Sequence, residues 1–589
     1  MPFARKPPLL LTLSTAFLLT GGGLIAHWGL TLRDTLGRGL PAGIKAVPDT
    51  ALFAASVSTS EEDWLRLRRF GTSDTQAAFD RQLATWRDRW LTDYGLSYAE
   101  DIGPWVGSAI TVAVLPDEEP GTPPDPLLPR PTSRIALLPI ADLEAAQAAA
   151  TQLDALFTPP EDAATPEAET QTFRGITLTR LAAESGGLAD ELWVGVLGTE
   201  LLLVAESQRA AEAAINAYKG GKSLVDVVGY RRAFEAIVKP QAFAQVYLDV
   251  PATSQYIAQS SQPPLPTTVL DAFQASRGVV AIVDITTRGI QATSISWLQP
   301  GSDRTYTVSN VPPQMPQYLP RETLMMASGG NFQQLWQDLS QRRTWGGLTA
   351  FSPENLALSL QASTGLTLEA DLLPWMAGEF ALALVPPAAA AEETEAEPSS
   401  DLPNPGLVAL VKASDRDRAA QTFAQLDDVV RSRYRFTLQP ETLDAITLTR
   451  WVSPFESTTI TRGWLPNDVA LLTIGQGIEA AIAPSPQRPL ATHPLFQLMV
   501  ADAPAVNNGT FYLNLAALRQ TENNLFVPAL PTDTQGALSA IEGLGVTATV
   551  LDERRLRYDL YVALTVGNRP GPLPATVPEN EPPVPPATE

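Results

Sequence analysis

The chain has 589 residues, of which 64 are Asp or Glu and 41 are Lys or Arg, so its formal net charge is −23. A surface of that sign repels nucleic acid and anionic lipid headgroups alike, and we expect no nucleic-acid partner. Because the sequence has no cysteine, disulfides, thiolate nucleophiles and cysteine-ligated metal centres are excluded.

An apolar segment near the N-terminus is the strongest local signal. Residues 9–32 contain no Asp, Glu, Lys or Arg, and about 20 apolar residues suffice to cross a bilayer. Arg5 and Lys6 precede the segment, so the positive-inside rule predicts that residues 1–8 are cytoplasmic and that the body lies in the periplasm or thylakoid lumen. A cleaved signal peptide is the alternative, but Leu24-Ile25-Ala26 is a poor cleavage site. We therefore predict a single-pass membrane protein with a transmembrane helix at 9–32.

The rest of the chain is duplicated at an offset of 270 residues. The pattern GL-x4-D-[IL]-x-PW begins at Gly95 and again at Gly365, and the string ITLTR occupies 176–180 and 446–450. A shared pentapeptide at a preset offset is a coincidence on the order of one in ten thousand. The sequence predicts a first repeat domain at 47–300, a linker at 301–318 and a second repeat domain at 319–566.

Helices and strands are both expected in each repeat. Phe79, Leu83, Trp86 and Trp90 have helical spacing and predict one buried stripe. In the second repeat, Pro353 at a helix start and Gly365 at its end mark the equivalent helix.

Short apolar runs predict the strands. Those at 176–181, 192–197 and 201–205 are separated by turns and indicate an antiparallel meander. At the end of the second repeat, Leu556, Tyr558, Leu560 and Val562 alternate with Arg557, Asp559 and Tyr561, which predicts a strand with the first set buried. We predict the α+β class, with antiparallel sheets covered by helices.

Three stretches are rich in proline or in alanine and glutamate. Two of them, 116–131 and 386–405, lie between equivalent strands of the two repeats and predict surface inserts. The third, 567–589, predicts a disordered, proline-rich acidic tail, which is a low-affinity interaction tail, a spacer or simply a solvated end.

Few residues carry recognisable chemistry. His27 lies in the apolar segment, and His493, followed by Pro494, is expected at a helix N-terminus rather than as a catalytic base. The acidic clusters at 117–119 and 392–397 lie in the inserts, and Asp427-Asp428 is expected to face water. We assign no catalytic, cofactor-binding or metal-binding residue and expect no enzyme activity.

The repeated Pro-Trp step has two interpretations. Trp105 and Trp375 could stack on a sugar or an aromatic ligand, with Asp101 and Asp371 as hydrogen-bond partners. Alternatively, the tryptophan fills the core and the aspartate caps the preceding turn. Both copies retain the set, which favours a structural role.

The predicted anchor, the early strand near Pro48, the GL-x4-D-[IL]-x-PW step and the strand-rich body resemble an uncharacterised family of single-pass membrane proteins found mainly in cyanobacteria and described as a domain of unknown function. The resemblance covers most of residues 9–566. It implies a membrane topology, but no activity and no catalytic residues.

Two classes of function remain. The favoured one is a non-catalytic, membrane-anchored ectodomain that binds or scaffolds an unknown protein partner. The candidate contact sites are the junction of the two domains and the strand edges near the inserts at 116–131 and 386–405. The alternative is a carrier or chaperone for an apolar ligand such as a lipid or pigment, which requires a large apolar pocket. A hydrolase would require a buried pair of carboxylates with raised pKa values.

Overall fold

The computed structural model describes residues 40–90, 97–117, 131–146, 170–182, 191–239, 242–260, 275–306, 309–340, 353–387, 405–454, 459–520 and 538–574. The predicted transmembrane helix at 9–32 lies outside these residues. Within them, no helix combines the length and the apolar composition needed to cross a bilayer.

The described chain divides into two compact units. Unit 1 combines the chain up to 259 with 280–285 and the C-terminal stretch from 566, and unit 2 combines 260–279 with 286–565. Both units contain helices and antiparallel strands, so the predicted α+β class is confirmed.

Unit 1 is built on an antiparallel sheet. Its strands are β1 (Phe53–Ser58), β2 (Ala109–Pro116), β3 (Thr132–Pro139), β4 (Thr170–Phe173), β5 (Ile176–Ala182), β6 (Glu191–Leu197), β7 (Leu201–Ala205) and β8 (Ala244–Asp249). They pair in the order β8-β1-β2-β3-β7-β6-β5-β4. Its helices are α1 (Glu61–Arg68), α2 (Ser73–Trp90), α3 (Gln208–Tyr218), α4 (Tyr230–Glu235) and α5 (Val250–Ser260).

Unit 2 repeats this order and extends it. Strand β9 (Ser276–Ile285) is divided between the units. The strands that follow are β10 (Gly289–Leu298), β11 (Met325–Gly329), β12 (Phe380–Val385), β13 (Gly406–Lys412), β14 (Thr437–Leu443), β15 (Ile446–Val452), β16 (Thr459–Leu465), β17 (Val469–Ile474), β18 (Gly509–Leu513), β19 (Ile541–Asp552) and β20 (Arg555–Leu564). The order β18-β11-β12-β13-β17-β16-β15-β14 matches that of unit 1, and β19, β20 and β10 continue it beyond β18.

The helices of unit 2 cover the core. They are α6 (Phe332–Ser340), α7 (Pro353–Thr364), α8 (Arg416–Ser432), α9 (Glu479–Ile482), α10 (Pro494–Val500) and α11 (Leu515–Leu518). Phe496 and Met499 of α10 pack with Tyr512, Tyr561 and further apolar side chains in the main core cluster. As predicted, α7 begins at Pro353, and Gly365 with φ +78° follows its last residue. A positive φ favours glycine because a Cβ atom would clash with the backbone there.

The stretch 301–318, predicted as a linker, belongs to unit 2. Asn310 bonds both backbone groups of Val550 through its side-chain amide (2.8 and 2.9 Å), and Tyr306 N donates to Glu553 O (2.8 Å). Met315 is fully buried. The composition of this stretch carries no information about the strands to which it bonds.

The prediction of a buried apolar stripe on α2 is wrong for Phe79, Leu83 and Trp86, and the side chain of Trp90 lies outside the described part of the chain. Trp86 is 54% exposed, and Phe79 and Leu83 are partly exposed, whereas Gln76 and Ala84 are buried. The polar side chain on the buried face, Gln76, binds backbone groups. Gln76 Nε2 donates to Arg68 O and Asn568 O (both 3.0 Å).

The same contacts revise the predicted tail. Asn568 N donates to Gln76 Oε1 (3.1 Å), and Arg68 donates to Gly571 O (2.7 Å). The backbone of residues 567–574 is therefore bound by side chains of α1 and α2, which a proline-rich composition does not reveal. The remainder of the predicted tail, 575–589, lies outside the described residues.

Strand β20 has the predicted alternation with the opposite face buried. Asp559 (4% exposed), Tyr561 and Ala563 are buried, whereas Leu556, Tyr558, Leu560 and Val562 are partly exposed. A salt bridge from Arg557 (2.7 Å) and a hydrogen bond from Thr293 on β10 (3.0 Å) satisfy the Asp559 carboxylate. A buried charge is tolerated when it is paired in this way.

Candidate functional site

The Pro-Trp step is structural in both units. Trp105 and Trp375 are each 3% exposed. Their indole N–H groups donate to Asp101 O (2.6 Å) and Asp371 O (3.1 Å).

The aspartate of the step closes the turn before it. Asp101 Oδ2 accepts from Ser97 N (2.6 Å), and Asp371 Oδ2 accepts from Thr367 N (2.7 Å). Each aspartate therefore caps a short π-helical turn, and each tryptophan fills the core behind it. The ligand-stacking interpretation does not fit buried rings.

Asp427 also has a structural role, contrary to the expectation that it faces water. Its carboxylate pairs with Arg462 and accepts from Trp451 Nε1 (2.8 Å). Asp428 is exposed, as expected. Of the two acidic clusters, Asp117 is described and pairs with Arg209 (2.9 Å), whereas 118–119 and 392–397 lie outside the described residues.

The buried carboxylates of unit 2 are engaged by the fold. Glu379 Oε1 accepts from Gln314 N (2.7 Å) and Met315 N (3.0 Å), and burial raises the pKa of Glu379. Lys412 is the charged group that acts on it. Glu479 is 1% exposed and pairs with Arg450 of the second ITLTR strand (2.7 Å). Glu441 pairs with the same Arg450 nitrogen (2.7 Å), so two glutamates share one guanidinium group at this point of unit 2.

His493 caps α10, as expected from the proline that follows it. Its Nδ1 accepts a hydrogen bond from Leu495 N (3.0 Å), which places the proton of the neutral ring on Nε2. Burial and the Arg321 charge lower the pKa of His493, and Glu322 opposes them. The imidazole is therefore a neutral hydrogen-bond donor near neutral pH.

Around His493 lies an open cleft of about 410 Å³ within unit 2. We call it the cationic cleft and define it by the polar side chains that line it, which are Arg288, Arg321, His493, Asn514, Arg519 and Glu542. Pro494, Leu495 and Ala516 provide apolar lining. A volume of this size falls within the range of small-molecule sites, roughly 300–1,000 Å³.

The charges of the cationic cleft are only partly neutralised. Arg288 pairs with Glu542 (3.0 Å), and Arg519 donates to the backbone carbonyl of Leu538. Among the described residues, the Arg321 guanidinium has no hydrogen bond or ion pair. The carboxylate of the neighbouring residue, Glu322, pairs with Arg488 instead (3.3 Å). Three arginines against one glutamate leave two positive charges in excess, on a chain that is acidic overall.

Unit 1 has different residues at the equivalent positions. Arg321 of unit 2 is equivalent to Asp49 of unit 1, because each makes the same backbone hydrogen bond. Arg321 N donates to Arg488 O (2.7 Å), and Asp49 N donates to Lys222 O (3.4 Å). His493 N donates to Leu490 O (2.8 Å) as Val227 N donates to Leu224 O (3.1 Å).

Asn514 completes the comparison. Its N–H donates to Leu324 O (2.8 Å) as Asp249 N donates to Leu52 O (2.9 Å). The same backbone thus carries Arg, His and Asn in unit 2 but Asp, Val and Asp in unit 1.

Sequence reasoning located His493 but missed the arginines. Arg321, Arg288 and Arg519 are far apart in the chain, and no spacing rule joins them. One signal was available, because aligning the repeats on Pro48 and Pro320 places Asp49 opposite Arg321. That reversal of charge marks a position where the copies differ.

Among the described residues, no group of three or more His, Cys, Asp or Glu side chains is placed to hold a metal ion.

Fold and cleft together define a duplicated α+β protein of antiparallel sheets whose second unit carries a cationic cleft. Residues 12–564 match the family described as "Protein of unknown function (DUF3352)", and the chain belongs to that family. The predicted resemblance to a family of unknown function is thereby confirmed, whereas cyanobacterial origin and single-pass anchoring remain predictions.

The chain was also compared with curated proteins and with solved structures. No curated protein matches the chain. Among solved structures, crystal form I of TP0453 is similar to 44% of this chain and 80% of its own, with 8% identity and a TM-score of 0.23. Crystal form IV of TP0453 is similar over 44% and 82%, with 9% identity and a TM-score of 0.24. Similarity at this level supports no statement about the ligand of this chain.

Proposed function

We propose that the protein is a membrane-anchored, extracytoplasmic binding or scaffold protein, that it acts without catalysis, and that the cationic cleft is its binding site. One observation carries the assignment of the site. The guanidinium of Arg321 faces a cleft without a partner among the described residues, and the equivalent residue of unit 1 is Asp49. Duplicated domains retain core positions and diverge at working sites.

The state of His493 supports binding rather than catalysis. A general base must accept a proton from a nucleophile or water, but Nδ1 already accepts the Leu495 N–H. The remaining nitrogen carries the proton and can donate to a ligand. The cleft thus offers donors and positive charge, which suit recognition of an acidic group.

The apolar part of the lining is compatible with the alternative function, a carrier for a lipid or pigment, because Pro494, Leu495 and Ala516 contribute apolar surface to the cleft. The arginines that line the same cleft favour a ligand that carries an acidic group.

The anchored location rests on the sequence. Residues 9–32 are long and apolar enough to span a bilayer, and Arg5 and Lys6 favour a cytoplasmic N-terminus.

Quantitative pull-down from solubilised membranes tests the proposal. We expect full-length Arg321→Asp to recover the partner at no more than one tenth of the wild-type yield, and Arg321→Lys to recover an intermediate amount. Arg431→Asp, which makes the same charge change on exposed α8, serves as the matched control and should recover the wild-type amount. Equal recovery by wild type and Arg321→Asp would show that the cleft is not the site.

A further inference from the structure

We propose that the ligand of the cationic cleft carries a phosphate monoester, which Arg321, Arg519 and His493 bind by charge and hydrogen bonding. This inference rests on the proposed function in one respect, namely that the cleft is a binding site.

The net positive charge of the cationic cleft favours a ligand group with two negative charges. Three arginines and one glutamate line the cleft, so two positive charges remain after Arg288 and Glu542 pair. A phosphate monoester carries about −1.5 to −2 at neutral pH, whereas a carboxylate or sulfonate carries −1. The monoester neutralises the excess, and a monoanion leaves part of it.

The chemistry of the donors suits a phosphoryl group. The guanidinium group presents a planar fork of N–H donors that fits the oxygens of phosphate, and Arg321 has its donors available among the described residues. His493 adds an Nε2–H donor because its Nδ1 is occupied by Leu495 N–H.

The size of the cleft indicates that the phosphate is attached to an organic group. A volume of about 410 Å³ exceeds what a single phosphate ion fills, and Pro494, Leu495 and Ala516 supply apolar surface for the remainder. Two sources share this chemistry, a soluble phosphorylated molecule and a lipid whose headgroup is a phosphate monoester.

Calorimetric titration of the full-length protein in neutral detergent with butyl phosphate at pH 8 tests the ligand class. We expect saturable binding that weakens at least tenfold in Arg321→Asp and changes less than twofold in Arg431→Asp. Butanesulfonate, a monoanion of similar size, should bind at least fivefold more weakly than butyl phosphate. No saturable binding, equal losses in both variants, or equal affinity for the monoanion would overturn the proposal.

Folding of the variant is controlled within the chain. Unit 1 carries Asp49 on the equivalent backbone, so aspartate is compatible with this local structure. If Arg321→Asp nevertheless shows a lowered melting temperature, Arg321→Gln replaces it with the same expected tenfold loss.

Reconstitution in phosphatidylcholine nanodiscs, with and without phosphatidic acid, separates the two sources. Phosphatidic acid competes with butyl phosphate if the ligand is a lipid headgroup, and leaves the affinity for butyl phosphate unchanged if the ligand is soluble. Failure of phosphate binding together with a pull-down that still depends on Arg321 would remove the ligand class and leave the proposed function standing.

Discussion

At the level of single residues, alanine substitutions of a buried and an exposed tryptophan test whether Trp375 has a structural role. Trp375→Ala should lower the free energy of unfolding by about 3–5 kcal/mol, because it empties a core site and removes the hydrogen bond to Asp371 O. Trp86→Ala, at a side chain that is 54% exposed, should change it by less than about 0.5 kcal/mol. Urea unfolding of the full-length protein measures both. An unchanged stability in Trp375→Ala combined with lost partner binding would restore the ligand-stacking interpretation.

The lowered pKa of His493 predicts that the free energy of unfolding decreases as the pH falls. Its pKa is lowered below 6.5 in the folded state, chiefly by burial and then by Arg321, with Glu322 opposing. The unfolded chain therefore binds a proton that the folded chain excludes, and unfolding becomes easier as the pH falls below 6.5. The stabilising contribution of the neutral ring is fully present above that pH.

Comparison with His493→Asn isolates this effect. Asparagine is a good N-cap but does not titrate in this range, so the variant keeps the cap of α10. We expect the stability of the wild type relative to His493→Asn to decrease between pH 8 and pH 5 in urea unfolding experiments. A difference that stays constant over this range would contradict the lowered pKa.

At the scale of elements, α2 and residues 567–574 form one structural feature. Gln76→Leu should lower the free energy of unfolding by about 1–3 kcal/mol, because the backbone groups of Arg68 and Asn568 lose their buried partner. Gln82→Leu makes the same chemical change at an exposed position of α2 and serves as the control.

Truncation tests whether the contact of Gln76 with residues 567–574 accounts for its contribution to stability. A chain ending at Val566 should show much of the stability loss of Gln76→Leu, and combining the two changes should add little. Full additivity in urea unfolding would indicate that the segment and Gln76 act independently.

Strand β20 shows why an alternating pattern fixes a strand but not its buried face. The sequence places apolar and polar residues on opposite faces, and the structure buries the face of Asp559, Tyr561 and Ala563. Asp559 remains compatible with burial because Arg557 and Thr293 satisfy its carboxylate. A partner on the same strand, Arg557, and one on β10, Thr293, therefore make burial of this face possible.

For the whole molecule, the proposed anchor predicts topology. After an alkaline carbonate wash the full-length protein should remain in the membrane fraction, and a C-terminal reporter should be exposed on the trans side. The reason is the uncharged segment 9–32 with its cationic leading flank. Release by carbonate would indicate a cleaved signal peptide, and protection from protease added on the trans side would reverse the orientation.

The length of the connection adds a geometric expectation. Seven residues, 33–39, separate the predicted helix from the described chain, and an extended residue spans about 3.3–3.6 Å. Ile44 and Val47 are already buried in unit 1. An anchored unit 1 would thus begin within roughly 25 Å of the end of the membrane segment.

The sequence by itself determined the α+β class, most strand positions and the structural nature of the Pro-Trp step. These features depend on local periodicity, turn residues and internal repetition, each of which is visible within a short window or at one fixed offset. The repeated ITLTR string accordingly lies on β5 and β15.

Tertiary structure alone decided the buried face of α2, the place of 301–318 and 567–574, and the cationic cleft. Each depends on contacts between residues distant in sequence, such as Gln76 with Asn568 or Arg288 with Glu542. Neither local propensity nor hydrophobic periodicity encodes which distant backbone or charge a polar side chain will meet. The cleft illustrates the division, because the sequence supplied Arg321 and His493 while the fold brought them to one surface.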